Sequence, residues 1–165
     1  MPTQAESTSA AESSDDNVRP DELLMRRLLL RKTIFRAASS PPIQEGAFQP
    51  GKNGRHGLSL SRRRTSLNAH FLDEWQFKKS CTHPDTKLRD SCGVCAFLTE
   101  AAREIGLRVQ PDPTTDDPGH VILPQINYLS FENSDSDRAQ IRIWINQLIE
   151  HASKLLLIPP GTANP

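Results

Sequence analysis

The spacing of hydrophobic residues changes along this chain, which predicts both helices and strands. The clearest helical pattern runs from Ile141 to Ala152, where aliphatic residues recur at the intervals of one helical face. We predict a helix over residues 135–152 there. Similar spacing predicts two further helices, at residues 64–77 and 91–105.

Shorter runs rich in β-branched, aromatic and alternating apolar residues predict strands near residues 31–37, 57–61, 107–110 and 120–123. Residues 20–28 start with proline and two acids before leucines and arginines, a pattern typical of a short basic amphipathic helix. The predicted fold class is therefore α+β, a small mixed sheet packed against about three helices.

Domain boundaries follow from changes in composition. Residues 1–18 hold four acids and only one large aliphatic residue besides the initiator Met1, so we expect a disordered acidic tail. Residues 19–158 are predicted to be a single domain, in keeping with a chain of 165 residues. Residues 159–165 are rich in Pro, Gly and Asn and are expected to be a loose C-terminal end.

Hydropathy and cysteine content bear on the cellular location. No apolar run reaches the roughly 18 residues that a membrane span requires, and the first residues lack the basic and apolar regions of a secretory signal. The 3 cysteines are an odd number, unlike the framework of a disulfide-stapled secreted domain. We therefore expect a cytoplasmic protein with reduced thiols.

The zero net charge conceals a basic block at residues 19–64, which carries 11 − 3 = +8, flanked by acidic ends. Arg62, Arg63 and Arg64 in this block are candidates for binding nucleic-acid phosphates. No aromatic residues are interleaved with them, so stacking on single-stranded bases is not supported. Two alternatives to nucleic acid are the acidic ends of the same chain, whose charge the block would balance, and a protein partner.

Four zinc-type donors cluster in the sequence: Cys81, His83, Cys92 and Cys95 follow the spacing C-x-H…C-x-x-C. The C-x-H half departs from the usual spacing of two to four residues, and a free cysteine is often a small buried apolar residue. We therefore expect no cofactor, with zinc at these four residues as the alternative.

The chain resembles a family of small uncharacterised bacterial proteins over residues 33–125. The likeness is carried by an aromatic-Arg element ending at Arg36, an Ala-Phe element, a Gly-Leu-Ser strand containing Ser59, and an Asp-Pro-Gly-His segment ending at His120. The resemblance implies that Arg36, Ser59 and His120 are functional residues, but it implies no particular activity. Convergence of these three candidate catalytic residues on one pocket would favour catalysis or capture of a small ligand, with His120 moving a proton, and their dispersal would favour a binding module. The alternative for His120 is a bond to a nearby carbonyl.

The chain also resembles the ADP-ribosyltransferase fold of the Arg–Ser–Glu type. There an Arg on the first core strand and a Ser-x-Ser strand help to hold a nicotinamide dinucleotide, and a later Glu polarises the ribose. Arg36 and the segment 59–61 match in order, and Glu132 is the candidate for the glutamate. Three hypotheses follow: a non-enzymatic binding or interaction module, an enzyme using a nicotinamide dinucleotide, and a nucleic-acid-binding protein.

Overall fold

The computed structural model describes residues 18–52, 56–64 and 71–165. They contain a six-stranded sheet with the order β4-β5-β2-β1-β3-β6, in which every pair of neighbouring strands is antiparallel. The strands are β1 (Leu23–Leu28), β2 (Leu58–Arg62), β3 (Gly93–Leu98), β4 (Gln110–Pro111), β5 (His120–Leu123) and β6 (Leu156–Ile158). The α-helices are α1 (Glu74–Lys79), α2 (Thr86–Ser91), α3 (Thr99–Glu104), α4 (Tyr128–Asn133) and α5 (Asp135–Ser153), and a 3₁₀ turn spans Glu45–Ala47.

Side chains on both faces of the sheet are buried. On one face Leu24 and Leu28 belong to the main hydrophobic core together with Ile145 of α5. On the other face Met25 belongs to a smaller core with Phe77 of α1. The strand β1 therefore lies in the middle of the sheet with apolar contacts on both sides.

The α+β class is confirmed. The sheet is antiparallel rather than mixed, and the described residues form five α-helices where about three were predicted. The predicted strands at 57–61 and 120–123 and the predicted helix at 135–152 are confirmed by β2, β5 and α5. The other four helices have six residues each, which is shorter than the window over which helical periodicity can be recognised.

The predicted helix at residues 20–28 is wrong, because this segment contains the central strand β1. Its run of leucines and methionine fills both faces of a buried strand, and pairing with β2 and β3 overrides the helical appearance. The predicted strand at residues 31–37 is also wrong. That segment consists mainly of turns, with one isolated bridge between Phe35 and Ile43.

The predicted helix at 91–105 is wrong in its first half, which forms β3, while α3 occupies Thr99–Glu104. Gly93 at the start of β3 lies under the chain leaving β6: a Cβ there would be 2.3 Å from the carbonyl oxygen of Ile158. The predicted strand at 107–110 overlaps the observed two-residue strand β4 only at Gln110, where β4 begins.

The helix predicted at 64–77 falls partly on residues 65–70, outside the described residues. The observed α1 begins only at Glu74, after a capping box formed by Asp73 and Gln76. The predicted acidic tail likewise lies outside the described residues, except for Val18, which is buried in the main core.

The C-terminal end is attached to the fold as far as Thr162. The Gly161 N–H donates to the carbonyl of Ser91, and the buried Lys78 ammonium donates to the carbonyl of Thr162 at 2.6 Å. Within the described residues, no helix is both long enough and apolar enough to cross a membrane.

Candidate functional site: the arginine cleft

A cleft of about 560 Å³ opens on the face of the sheet that carries Met25. We call it the arginine cleft. Its lining residues come from β1, β2, α1 and its following loop, and the loop before β5: Arg26, Arg27, Ser59, Leu72, Phe77, Ser80, Thr82, Asp116, Asp117 and His120.

Strand register explains why polar residues meet here. Ser61 is the partner of Met25 on β1 and of His120 on β5, so these three residues form one row on the same face. Side chains alternate along a strand, so Arg27 and Ser59 lie one row further along that face. Of these residues, Arg27, Ser59 and His120 line the arginine cleft.

The strands β1 and β2 pair only at the beginning of β1, at Leu24 and Met25. Arg26 follows directly and contacts the backbone beyond the paired region. Its Nη1 donates to the carbonyl of Ser59 at 2.9 Å, and its Nε donates to the carbonyl of Ala47 at 3.0 Å. The guanidinium therefore links β2 to the 3₁₀ turn.

Arg27 is held by residues at the end of α1. Its Nε donates to the carbonyl of Phe77 at 2.8 Å, its Nη2 donates to the hydroxyl of Ser80, and its guanidinium carbon lies 4.0 Å from the centre of the Phe77 ring. These contacts fix the cation against the end of α1.

Arg26 and Arg27 place two positive charges in partly desolvated surroundings, and the carboxylates of Asp116 and Asp117 line the same cleft. Burial lowers the pKa of Arg26 and of Arg27 from the ordinary value, and the charge of Arg27 also acts to lower that of Arg26. Among the residues that the structure describes, neither arginine forms an ion pair with a carboxylate. The charge of Asp117 nevertheless acts to raise the pKa of Arg27. Arg26 and Arg27 are consecutive residues of β1, so their side chains leave the strand toward opposite faces, and both line the arginine cleft. Two guanidinium groups without an ion-paired carboxylate are candidates for binding an external anion.

A second cleft of about 370 Å³ adjoins the first and shares Arg26, Arg27 and Thr82 with it. Its other walls include Ile34, the backbone around Ala47, and residues 81–84. The arginines are therefore accessible from two cavities that meet at their side chains.

His120 is held by Asp112 in the loop before β5. Its Nδ1 lies 2.8 Å from the carbonyl oxygen of Asp112 and 3.1 Å from the carboxylate Oδ2 of the same residue. Two oxygen acceptors at Nδ1 favour the tautomer that carries its proton there. In that tautomer Nε2 is the basic nitrogen, on the side of the ring away from Nδ1.

Asp117 fixes the loop to the sheet. Its Oδ2 accepts from the hydroxyl of Ser61 at 2.7 Å and its Oδ1 accepts from the N–H of Gly119 at 3.0 Å. Gly119 packs so closely that a Cβ would lie 2.7 Å from the ring of Phe71. The loop is thus held in place, with Asp116 exposed at the wall of the cleft.

Two of the three predicted catalytic residues, Ser59 and His120, line the arginine cleft. Arg36 does not: it is exposed in the turn-rich segment after β1, and its Nε donates to the carbonyl of Lys32. The cation beside Ser59 comes from Arg26 and Arg27 instead. Glu132 is exposed on α4 and is not among the lining residues of the cleft.

The three arginines predicted to bind nucleic acid are used within the chain. Arg62 pairs with buried Glu22 through Nε and Nη2, Arg63 pairs with Glu74, and the Nε of Arg64 donates to the carbonyl of Phe71. Carboxylates therefore balance the charges of Arg62 and Arg63, whereas Arg64 donates to a neutral carbonyl.

The four alternative zinc ligands do not come together as one set, although Cys81 and Cys92 lie close to each other. Cys95 lies in the main core, whereas Cys92 and Cys81 lie near the end of α1 on the other side of the sheet. Burial raises the pKa of Cys95 to about 12. The described part of the chain contains no group of three or more His, Cys, Asp or Glu residues arranged to hold a metal ion.

Sequence reasoning missed Arg26 and Arg27, which is explained by the assignment of their segment to a surface helix. The signal was present in the sequence, because two arginines interrupt a run of six aliphatic residues at 23–30. Charged residues in the middle of a buried strand need partners, so such a pair indicates a functional position.

Comparison with models of protein families, with curated proteins and with solved structures finds no match for this chain. The site therefore has to be interpreted from its own geometry.

Proposed function

We propose that this protein binds a small ligand bearing a phosphate or diphosphate group, with Arg26 and Arg27 in the arginine cleft holding the anion. The observation that carries this proposal is the pair of guanidinium groups that line one cleft, partly desolvated and without an ion-paired carboxylate among the described residues. An arginine presents several N–H donors in a plane, an arrangement that suits phosphate oxygens.

The shape of the site supports a ligand larger than phosphate alone. The two cavities measure about 560 and 370 Å³ and share the arginines, so groups on either side of a central anion could occupy both. The first cavity offers the Ser59 and Thr82 side chains for hydrogen bonds and the Phe77 and Leu72 side chains for apolar contact. A nucleoside diphosphate fits this combination of charge and flanking polar and apolar surface.

Titration calorimetry with adenosine diphosphate and with adenosine tests the proposal, because the two probes differ only in the charged group. We expect adenosine diphosphate to bind and adenosine to bind much more weakly, with an affinity for the diphosphate that falls as salt is added. Equal binding of both probes would contradict a site built around the anion.

The variant Arg27→Gln removes one cation and keeps a polar side chain of similar length. We expect it to weaken diphosphate binding by roughly 10- to 100-fold, because a hydrogen bond to a charged group contributes about 1.5–3 kcal/mol. Arg36→Gln is the matched control, since it removes the same charge from an exposed arginine outside the cleft. Equal losses in the two variants would show that only the net charge matters.

An enzyme that uses a nicotinamide dinucleotide is the second candidate. It is favoured by one observation: an arginine on the first strand of the sheet lies beside the Ser59-Leu60-Ser61 strand, in the order of the Arg–Ser–Glu pattern. Arg26 or Arg27 would take the place given to Arg36. Glu132 would have no role in this enzyme. The exposed Asp116, which lines the arginine cleft, would be the candidate for the carboxylate that polarises the ribose.

In such an enzyme the Nε2 of His120 would accept a proton from water as the bond between nicotinamide and ribose breaks. Incubation with oxidised nicotinamide dinucleotide and chromatographic measurement of free nicotinamide tests this candidate. Release that is lost in His120→Gln, while the melting temperature stays unchanged, supports the enzyme. If the dinucleotide binds without release of nicotinamide, the protein is a binding module.

A nucleic-acid or protein partner remains as a further hypothesis for the basic block. The internal pairing of Arg62 and Arg63 makes this block a poorer candidate for phosphate binding than the arginine cleft. A salt-dependent shift of duplex DNA in a gel, reduced by Arg64→Gln, would favour it.

A further inference from the structure

Two cysteines lie next to each other at the end of α1, beside the arginine cleft. The carbonyl oxygen of Lys78 accepts the backbone N–H of Cys81 at 3.2 Å and lies 4.0 Å from the Sγ of Cys92. Both residues thus contact the same oxygen atom, although they are separated by α2 in the sequence. The Cys81 thiol is also close enough to Cys92 to act on the pKa of the Cys92 thiol.

The surroundings of the two sulfur atoms are cationic. The charge of Arg27 acts on both thiols, and the ammonium of buried Lys78 acts on Cys92. At Cys92 burial has the larger effect and raises the pKa of the thiol, while these cations act to lower it.

Accessibility distinguishes the two thiols. Cys81 is half-buried and lines the second cavity next to the arginines, whereas Cys92 is fully buried. A reagent that enters the cavity therefore meets Cys81 first. Cys95, the third thiol, is fully buried in the main core on the other face of the sheet.

We propose that Cys81 and Cys92 form a dithiol site that is oxidised to an intramolecular disulfide by a low-molecular-weight disulfide such as oxidised glutathione. The Cys81 thiolate attacks one sulfur of the reagent, and the first glutathione thiolate leaves. The Cys92 sulfur then attacks Cys81 and releases the second glutathione thiolate. Two protein thiols are oxidised, one reagent disulfide is reduced, and the two cysteine protons end on the two glutathione thiols.

The test uses the full-length protein, incubated under native conditions with oxidised glutathione, alkylated and digested with trypsin. We expect peptide 80–87 linked to peptide 90–103 in a product that lacks two hydrogen atoms, and its separation on reduction. Because peptide 90–103 contains both Cys92 and Cys95, the variant Cys95→Ser is the matched control. It should form the same linked product.

The variant Cys92→Ser removes the second step, so we expect it to accumulate one glutathione on Cys81. Cys81→Ser should acquire neither modification. Unlinked peptides from the wild-type protein would overturn the proposal, and so would a link that is lost in Cys95→Ser. These readouts require no ligand, so they remain informative if the arginine cleft does not bind phosphate.

Discussion

Removal of the Glu22 side chain should destabilise the fold strongly, because it leaves the Arg62 cation of a buried ion pair without its carboxylate. The exposed fraction of the Glu22 side chain is 2% and that of Arg62 is 13%. The Nε of Arg62 lies 2.5 Å from Oε2 of Glu22 and its Nη2 lies 2.6 Å from Oε1, which is a two-pronged pair. The guanidinium also packs on the ring of Phe71 at 4.3 Å.

The variant Glu22→Ala leaves the Arg62 cation in this position without its carboxylate. Breaking a buried pair by removing one partner costs about 3–5 kcal/mol. For a domain of this size 1 kcal/mol corresponds to about 2–4 °C in melting temperature, so we expect a decrease on the order of 10 °C. Urea unfolding followed by circular dichroism measures the free energy directly.

The neighbouring pair of Arg63 and Glu74 provides a matched control. It has the same two-pronged geometry, with distances of 2.8 and 3.2 Å, but exposed fractions of 35% and 20%. A pair in contact with solvent contributes about 0–1 kcal/mol, so Glu74→Ala should have a much smaller effect. Similar losses in the two variants would refute the reasoning that burial determines the contribution of the Glu22 pair.

Three further predictions follow from local contacts. Gly93→Ala should destabilise the protein by about 1–3 kcal/mol, because the new Cβ would overlap the carbonyl of Ile158 and the ring of Pro160. Urea unfolding measures this loss, and an unchanged urea midpoint would contradict that packing. The hydrogen bond from Arg63 holds the pKa of Glu74 in the folded state below its ordinary value. The ionised Glu74 therefore stabilises the fold above the pKa of the unfolded state, and this stabilisation is lost as the pH falls through the pKa of the folded state. The small difference between wild type and Glu74→Gln should therefore shrink in acid, and a difference that grows there would oppose this assignment. Native alkylation with iodoacetamide near pH 8 should label Cys81 and spare Cys95, whose pKa burial raises to about 12; early labelling of Cys95 would show that the core opens readily.

Part of the fold could be predicted from local patterns alone. The spacing of Ile141, Ile145 and Leu148 specifies the core-facing side of α5, and these residues are buried as expected. The strand at His120–Leu123 follows an Asp-Pro-Gly turn that isolates it from the preceding loop. Both elements carry their signal within their own residues.

The central strands could not be recognised in this way. A strand buried on both faces shows a continuous apolar run rather than alternation, which is also compatible with a helix. This explains the errors at Leu23–Leu28 and Gly93–Leu98. Their conformation is determined by pairing with strands far away in the sequence.

Arg36, which lies in a turn-rich segment that was predicted to be a strand, was implied by the family resemblance. Ser59 and His120 were implied in the same way, and each lies on a strand that the sequence predicts. The grouping of Arg27 with them depends on the register that places Met25 opposite Ser61, and this long-range contact has no local signature.

The most direct test of the central claim is a two-dimensional NMR spectrum of the arginine Nε–Hε groups, recorded while pyrophosphate is added to the full-length protein. Resonances can be assigned with single Arg→Lys variants. We predict that the signals of Arg26 and Arg27 shift with one saturable binding curve, while that of Arg36 stays in place. Shifts confined to Arg36 and other exposed arginines, with Arg26 and Arg27 unchanged, would contradict the assignment of the arginine cleft as the anion-binding site.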